Sequence, residues 1–387
     1  VTGSSSLPAG DDRIAIVIHA LTGGGSEHAA ALIASHWAAA GRPVTLITLA
    51  GIDTDTIALH PAVQRIGLNA MTPSKNPVQA AFANRARVRK LRAALHQVSP
   101  RHVIALTDRT AILTLLACRG TPWRAIVSER TDPRYHRIGR LWNWLRRGTY
   151  PEARCIVAQT EGAASALRPI AGRAPVVVIP NGVPSPPAVD PGHPLLRSDQ
   201  SPLGRNRCVI GLGRLSREKG FDRLIEAFCR IAGDHPDWHL VIVGEGPERR
   251  RLEQQVRESA LSGRIHLPGW FENPWSALQS AGLFVLPSHY EGFPNALLEA
   301  MAAGLAVIAF DCPSGPAEII QPDINGMLIA NGDLSALTAA IRSLLDKPDL
   351  RQQLGQHARE VQTRFSMAEH FRRWNEVLAE DGEFTAL

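Results

Sequence analysis

Glu291 and Glu299 are two carboxylates eight positions apart in the stretch Phe284–Ile320, FVLPSHYEGFPNALLEAMAAGLAVIAFDCPSGPAEII. Carboxylates accept hydrogen bonds from ribose or sugar hydroxyls. Between them, Gly292–Asn295 forms a loop that opens a helix, and a helix N-terminus turns unpaired N–H groups toward anions such as phosphate. Arg214 and Lys219 stand in GLGRLSREKG, between a strand pattern and a helix pattern. Fixed cations there suit the charge that develops on a departing diphosphate. Acids for hydroxyls, with N–H groups and cations for phosphate, point to a nucleotide-sugar site. Each residue alone has a plainer reading. Glu299 then is a solvated helix residue, Glu291 a loop charge, and Arg214 and Lys219 the cations of an ordinary turn. Glu318, at the next helix start, is read as a cap.

The elements around these residues are legible from period and punctuation. In the Phe284–Ile320 stretch a strand at Phe284–Leu286 leads to a loop, Ser288–Phe293. Pro294 is expected at the first helical position and the helix is expected over Asn295–Ala303, ended by Gly304, with a strand at Ala306–Ala309. Upstream, RIAIVIH (Arg13–His19) is a buried strand running into a Gly23-Gly24-Gly25 loop and a helix near Ser26–Ala39. Further strands are expected at Pro43–Leu49, His102–Leu106, Arg124–Val127, Arg154–Ala158 and Val176–Ile179. Helices at Val78–His96, Thr110–Cys118, Arg137–Arg147 and Thr160–Leu167 alternate with them. After Pro184–Asn206, which is rich in Pro, Gly and Ser, the alternation resumes: strands at Val209–Leu212, Leu240–Val243, Arg264–Leu267 and Met327–Ile329, helices at Phe221–Ala232, Pro247–Ser259, Pro274–Ala281, Asp333–Leu345, Asp349–Arg364 and Met367–Glu380. Such alternation means βαβ units and parallel sheets, so the chain is α/β with two Rossmann-like halves. The reading divides it into an N-terminal acceptor-side domain (1–186), a linker (187–206), a nucleotide-sugar-binding domain (207–365) and a C-terminal helix (366–387). Open α/β sheets bind ligands at the C-terminal ends of their strands, and two facing halves place the site in a cleft.

Composition agrees with a globular chain of 387 residues, 44 % apolar and 20 % charged. No apolar run reaches the length that spans a bilayer. Residues 1–12 are polar and Gly/Ser-rich, with no secretory signal pattern. The five cysteines are scattered, without metal spacing, and read as buried thiols. The net charge of +6 is unevenly spread. Residues 1–186 hold 22 Lys and Arg against 10 Asp and Glu, and residues 187–387 hold 20 against 26. Two basic amphipathic segments contribute. FANRARVRKLRAALH carries Phe82, Val88, Leu91 and Leu95 among five cations. RIGRLWNWLRR carries Leu141, Trp142, Trp144 and Leu145 among four. Both fit either an anionic membrane surface or domain helices with solvated arginines. No nucleic-acid-binding motif accompanies the charge.

GRLSREKGFDRLIEAF, LVIVGEGPERRRLE, the EGFPNALLE loop–helix and GPAEII together resemble the retaining GT-B glycosyltransferases of glycosyltransferase family 4, with the Glu-x7-Glu spacing as that family's mark. VSERTDP and IPNGV are similar to members that build bacterial polysaccharides or lipid-linked glycans. The resemblance implies a GT-B fold whose C-terminal helix packs back on the N-terminal domain. It implies transfer, with retention, of a hexose or N-acetylhexosamine from a UDP-sugar to a glycan or lipid-linked acceptor. It assigns the donor diphosphate to Arg214 and Lys219, the ribose to Glu299 and the donor sugar to Glu291. It gives backbone contacts to Gly292, Phe293, Pro294, Asn295, Ala296, Leu297 and Leu298, and the opposite wall to Gly23, Gly24, Gly25, Glu129 and Arg130. No cofactor or metal is implied, because the nucleotide-sugar is a substrate and Arg214 and Lys219 supply charge. Asp53-Thr54-Asp55 spells the DxD of metal-dependent GT-A transferases without their surroundings and is taken as chance. The expected location is cytoplasmic, either free or peripheral on the inner face of the plasma membrane. One departure stands out: many relatives carry a His where this chain has Thr107 or Asp108. Glu129, Arg130 or His19 are the candidate substitutes, although His19 also reads as a packed strand-end residue. His28 replaces an Arg of the relatives' Gly-Gly-x-Glu-Arg. A nucleotide-sugar epimerase or hydrolase, or a non-catalytic sugar-nucleotide-binding protein, are the alternatives on this architecture.

Overall fold

The computed structural model describes residues 12–71, 76–188, 207–271 and 273–379. Most of the expected linker, 189–206, and nearly all of the polar start lie outside the described residues. The chain divides into two compact units. One is formed by the chain up to Ile179 and again from Arg373, the other by Pro180–Arg372.

The first unit is a seven-stranded, all-parallel sheet. In chain order its elements are β1 (Ile14–Ile18), α1 (Gly25–Ala39), β2 (Val44–Thr48), β3 (Gln64–Gly67), α2 (Pro77–Val98), β4 (His102–Leu106), α3 (Asp108–Cys118), β5 (Arg124–Ser128), α4 (Arg140–Thr149), β6 (Cys155–Ala158), α5 (Glu161–Ala171) and β7 (Val176–Val178). The strand order is β3-β2-β1-β4-β5-β6-β7. β1 is wholly buried and lies between β2 and β4, Ile16 opposite Leu46 on one side and Ile104 on the other. That burial is why IAIVI and HVIAL read as unbroken apolar runs: helices cover both faces of a parallel sheet.

The second unit repeats the plan with six strands. Its elements are β8 (Cys208–Leu212), α6 (Phe221–Cys229), β9 (His239–Val243), α7 (Arg249–Glu258), β10 (Ile265–Gly269), α8 (Trp275–Ser280), β11 (Leu283–Leu286), α9 (Asn295–Ala302), β12 (Val307–Asp311), α10 (Pro316–Ile319), β13 (Met327–Ala330), α11 (Leu334–Asp346), α12 (Pro348–Ala358), α13 (Val361–Arg364) and α14 (Met367–Leu378). The order is β10-β9-β8-β11-β12-β13, again all parallel. In each sheet the winding reverses at one place, between β1 and β4 and between β8 and β11. These are the topological switch points outside which open α/β sheets hold ligands.

Several expectations needed correction. β3 was not foreseen: QRIG is short and only partly buried, so it lacks a strand's apolar signature. α4 starts at Arg140 rather than Arg137, because Gly139 takes a positive φ of 90° as its N-cap. The stretch 349–364 is two helices, broken near Arg359. α14 starts within the second unit, where Ser366 bridges Val183. It ends within the first, where Trp374 meets Trp37 edge-on at 6.1 Å and Arg154 donates to Ala379 O at 3.0 Å. Of the two basic segments, Leu91 and Leu95 are core residues and Trp142 and Leu145 pack against the core. Phe82 and Trp144 stay exposed at 71 % and 70 %. No described helix is long and apolar enough to cross a membrane.

Candidate functional site

In the second unit the expected residues gather at the β8–β11 switch point. After β8, Gly213 and Gly220 take positive φ and turn the chain through Arg214–Lys219 into α6. Gly220 admits no side chain, since a Cβ there would lie 2.1 Å from Pro287 O at the end of β11. This close approach sets Lys219 against the β11 loop. Its ammonium donates to both oxygens of Glu291, at 2.7 Å each. Ser288 Oγ donates to Glu291 Oε1 at 2.7 Å. Glu291 is 6 % exposed, so its charge is held by a lysine and a hydroxyl, as a buried carboxylate requires. Oε1 has two donors and Oε2 one, which leaves Oε2 able to accept from a ligand hydroxyl. Arg214 is exposed and has no ion-pair partner among the described residues.

Pro294 is the N-cap of α9, one position earlier than expected. Its C=O accepts from Leu297 N at 3.0 Å and Leu298 N at 3.2 Å, and Asn295 N turns back to Phe293 O at 3.0 Å. The N–H groups without a backbone partner among the described residues are those of Gly292, Phe293 and Ala296. Leu297 and Leu298 bury their side chains in the core, so only backbone at this helix start is available to a ligand. Glu299 lies little more than one turn into α9. Its carboxyl has no hydrogen-bond or ion-pair partner among the described residues, and burial pushes its pKa up to about 7. Asn181, unanticipated from sequence, donates from Nδ2 to Asn295 Oδ1 at 2.6 Å and fixes the first residue of α9. Glu318 sits in the first turn of the short α10.

In the first unit the β1–β4 switch point carries two His–carboxylate pairs. Glu27, buried at the third position of α1, reaches back to the glycine loop. It accepts from the N–H groups of Thr22, Gly23 (2.8 Å) and Gly24 (3.2 Å), in a capping-box manner. His19 Nε2 lies 2.8 Å from Glu27 Oε1. Burial alone would raise the Glu27 pKa, but the bonds from His19, Gly24 and Thr22 hold it at about 2. The Gly23 and Gly24 N–H groups are therefore occupied within the protein, and a Cβ at Gly25 would meet nothing within 4 Å. His19, with 41 % of its side chain exposed, is a paired surface residue rather than a packed strand end.

Thr107 follows β4 with φ 71°, a strained value for a β-branched residue, and Asp108 begins α3. Asp108 Oδ2 lies 3.3 Å from His136 Nε2 and 3.5 Å from the guanidinium of buried Arg146. Arg146 also lies 3.9 Å from Glu129 Oε2, which accepts from Tyr150 OH at 2.6 Å. Burial raises the Glu129 pKa and lowers that of buried Arg130 to about 10. Glu129 and Arg130 are thus interior groups of the β5 end; His136 is the member of this network that reaches solvent. His136 escaped the sequence reading because TDPRYHR has no period and its partner lies 28 residues away. Asp55 of the DxD pair is taken by Arg65, which donates to both its oxygens at 2.8 Å. Among the described residues no group of His, Cys, Asp or Glu could hold a metal ion.

Residues 196–361 match the family model of glycosyl transferases group 1, and residues 24–182 that of the glycosyl transferase 4-like domain. The group 1 domain spans the Lys219–Glu291–Glu299 site and the 4-like domain spans the two His–carboxylate pairs, His19 apart. Over 45 % of its length the chain is 35 % identical to an exopolysaccharide phosphotransferase from Streptomyces coelicolor, covering 19 % of that protein. Over 59 % it is 32 % identical to a lipopolysaccharide core biosynthesis glycosyltransferase from Rhizobium meliloti, covering 65 % of it. The chain thus spans between about a fifth and two thirds of these relatives. The structure is similar to that of Anabaena HepE in complex with UDP and glucose, with a TM-score of 0.82 and 19 % identity over 95 % of this chain and 99 % of that one. That likeness shows the fold, GT-B, with its two Rossmann-like parallel-sheet domains.

Proposed function

We propose that this protein is a retaining glycosyltransferase that moves a hexose or N-acetylhexosamine from a UDP-sugar to a glycan or lipid-linked acceptor in bacterial polysaccharide synthesis. The observation that carries the reading is Glu299: a desolvated carboxyl without a partner, on the helix that follows a Lys219-bound Glu291. An unpartnered, half-buried acid is costly in a free protein. A ribose diol is the ligand that offers it two O–H donors. UDP as the nucleotide is supported by the ligand of HepE.

In this reading Glu299 holds the ribose and Glu291 Oε2 a hydroxyl of the donor sugar. Arg214 and Lys219 neutralise the departing diphosphate, and the N–H groups of Gly292, Phe293 and Ala296 line the sugar and phosphate. The acceptor attacks on the face from which the diphosphate leaves, and the leaving phosphate takes the acceptor proton. The chain's work is orientation and charge stabilisation, with no metal. Location is cytoplasmic, and exposed Phe82 and Trp144 among arginines give a peripheral contact with an anionic membrane.

The test uses Arg214→Ala, whose exposed side chain can be removed without stranding a buried charge. UDP-glucose in EDTA should raise the melting temperature of the wild type. Turnover of the donor, to water or to added acceptor glycan, should fall by about 10²–10³ in the variant at unchanged stability. No shift with any nucleotide-sugar, or an Arg214→Ala protein of undiminished turnover, refutes the assignment.

A further inference from the structure

The network behind β4 and β5 contains a group that the donor reading leaves unused. Asp108, Glu129 and Arg146 are buried together, two carboxylates facing one guanidinium. Of these groups and the His136 paired with them, only His136, with 44 % of its side chain exposed, meets solvent. Its Nε2 is fixed on Asp108, and Asp108 cannot turn away because Arg146 and the backbone N–H of Arg109 (2.5 Å) hold it too. Its Nδ1 has no partner among the described residues. The surroundings outside the network are basic. Arg109, Arg137 and Arg140 are exposed, the first turn of α4 has no acid, and its N-cap glycine offers no side chain. Residues 107–149 hold nine arginines against three acidic residues, of which Asp132 is spoken for by Arg134 at 2.6 Å.

We propose that His136 is an anion-contact residue of the first unit: an imidazolium clamped by Asp108 that donates from Nδ1 to a phosphate oxygen of the acceptor substrate. The inference rests on the transferase reading and adds to it a substrate class, a phosphate-bearing acceptor. The groups facing His136 are Asp108, Glu129 and Arg146. The bond to Asp108 raises its pKa against burial, and Glu129 adds to the rise while Arg146 opposes it. The Asp108 carboxylate thus favours the charged form of the ring. Asp108 is a positioning residue here; His136 makes the contact.

The experiment follows the His136 ring by heteronuclear NMR in the full chain, assigned by its loss in His136→Gln. The probes are inorganic pyrophosphate and farnesyl diphosphate. Pyrophosphate should move the His136 ring signals in wild type and raise its titration midpoint by about half a unit or more. Asp108→Asn should weaken pyrophosphate binding at pH 7.5 by about fivefold, and the difference from wild type should close at pH 5.5, where the ring is protonated without Asp108. Tighter binding of farnesyl diphosphate than of pyrophosphate assigns the phosphate to a lipid-linked acceptor, and equal binding to a water-soluble one. Ring signals unmoved by both probes overturn the proposal, as does an Asp108→Asn defect that persists unchanged at pH 5.5. UDP is run in parallel by thermal shift. Failure of UDP to stabilise the protein sinks the nucleotide reading, and the His136 signals report separately on this one.

Discussion

Glu299 makes the transferase reading quantitative. Its carboxyl titrates at about 7 in the free protein. To accept both ribose hydroxyls it must be ionised, because a protonated carboxyl gives one of its positions to its own O–H. UDP-glucose is a diphosphate diester and carries no group that titrates between pH 6 and 8. Its affinity should therefore follow the ionised fraction of Glu299, roughly nine tenths at pH 8 and one tenth at pH 6, a weakening of about tenfold. Glu299→Gln should flatten that dependence and, at pH 8, lose about 1.5–3 kcal/mol of binding, the worth of hydrogen bonds to a charged group. Isothermal titration calorimetry in matched buffers measures both. Stability should move the opposite way. An acid whose folded pKa is raised contributes stability that is whole below its unfolded pKa and lost as pH rises toward 7. Glu299→Gln removes that loss, so above pH 7 the variant should be more stable by about 2 kcal/mol, discounted for the residue's partial exposure. Equal affinity of wild type at pH 6 and 8, or a tenfold slope that survives in Glu299→Gln, refutes the reasoning.

Two further outcomes test the loops. Glu27→Gln should cost about 3 kcal/mol in urea unfolding at pH 7, because the carboxylate held at about 2 contributes stability that is present above about pH 4.5. That difference should shrink as pH falls toward 2, and a pH-independent difference contradicts the assignment. Gly220→Ala should lower the unfolding free energy measured in urea by at least about 2 kcal/mol, since φ is +64° and the new Cβ would collide with Pro287 O; a neutral change means the turn is not rigid.

The fold was legible where the physics is local. β1 and β4 bury both faces, so their sequences are apolar throughout. The parts of the second-unit site could be read because the groups within each are close in sequence, Arg214 with Lys219 and Glu291 with Glu299, and glycines mark the turns; the bond from Lys219 to Glu291 spans 72 positions. What could not be read depended on distant partners. Nothing local says that Glu27 turns inward onto the glycine loop. Asn181 holds α9 across 114 positions. The pairing of Asp108 with His136 exists only because β4 and β5 are neighbours, and its arginine comes from α4. The start of α9 at Asn295 is as expected, and only the role of Pro294 differs: proline suits the first helical position, but here φ −82° and ψ 76° leave it outside the helix as the cap.

The aromatic pair Trp37–Trp374 joins residues 337 positions apart inside one unit, and both rings are almost fully buried. This has a consequence for biogenesis. During synthesis, residues 12–179 emerge before the indole that packs edge-on against Trp37. Helix α1 keeps the face around Trp37 uncovered until residue 374 has left the ribosome. The N-terminal unit is therefore expected to be the last of the two to close, although it is the first to be made. A fragment ending before α14 should expose Trp37 and associate, and supplying α14 as a separate peptide should rescue it.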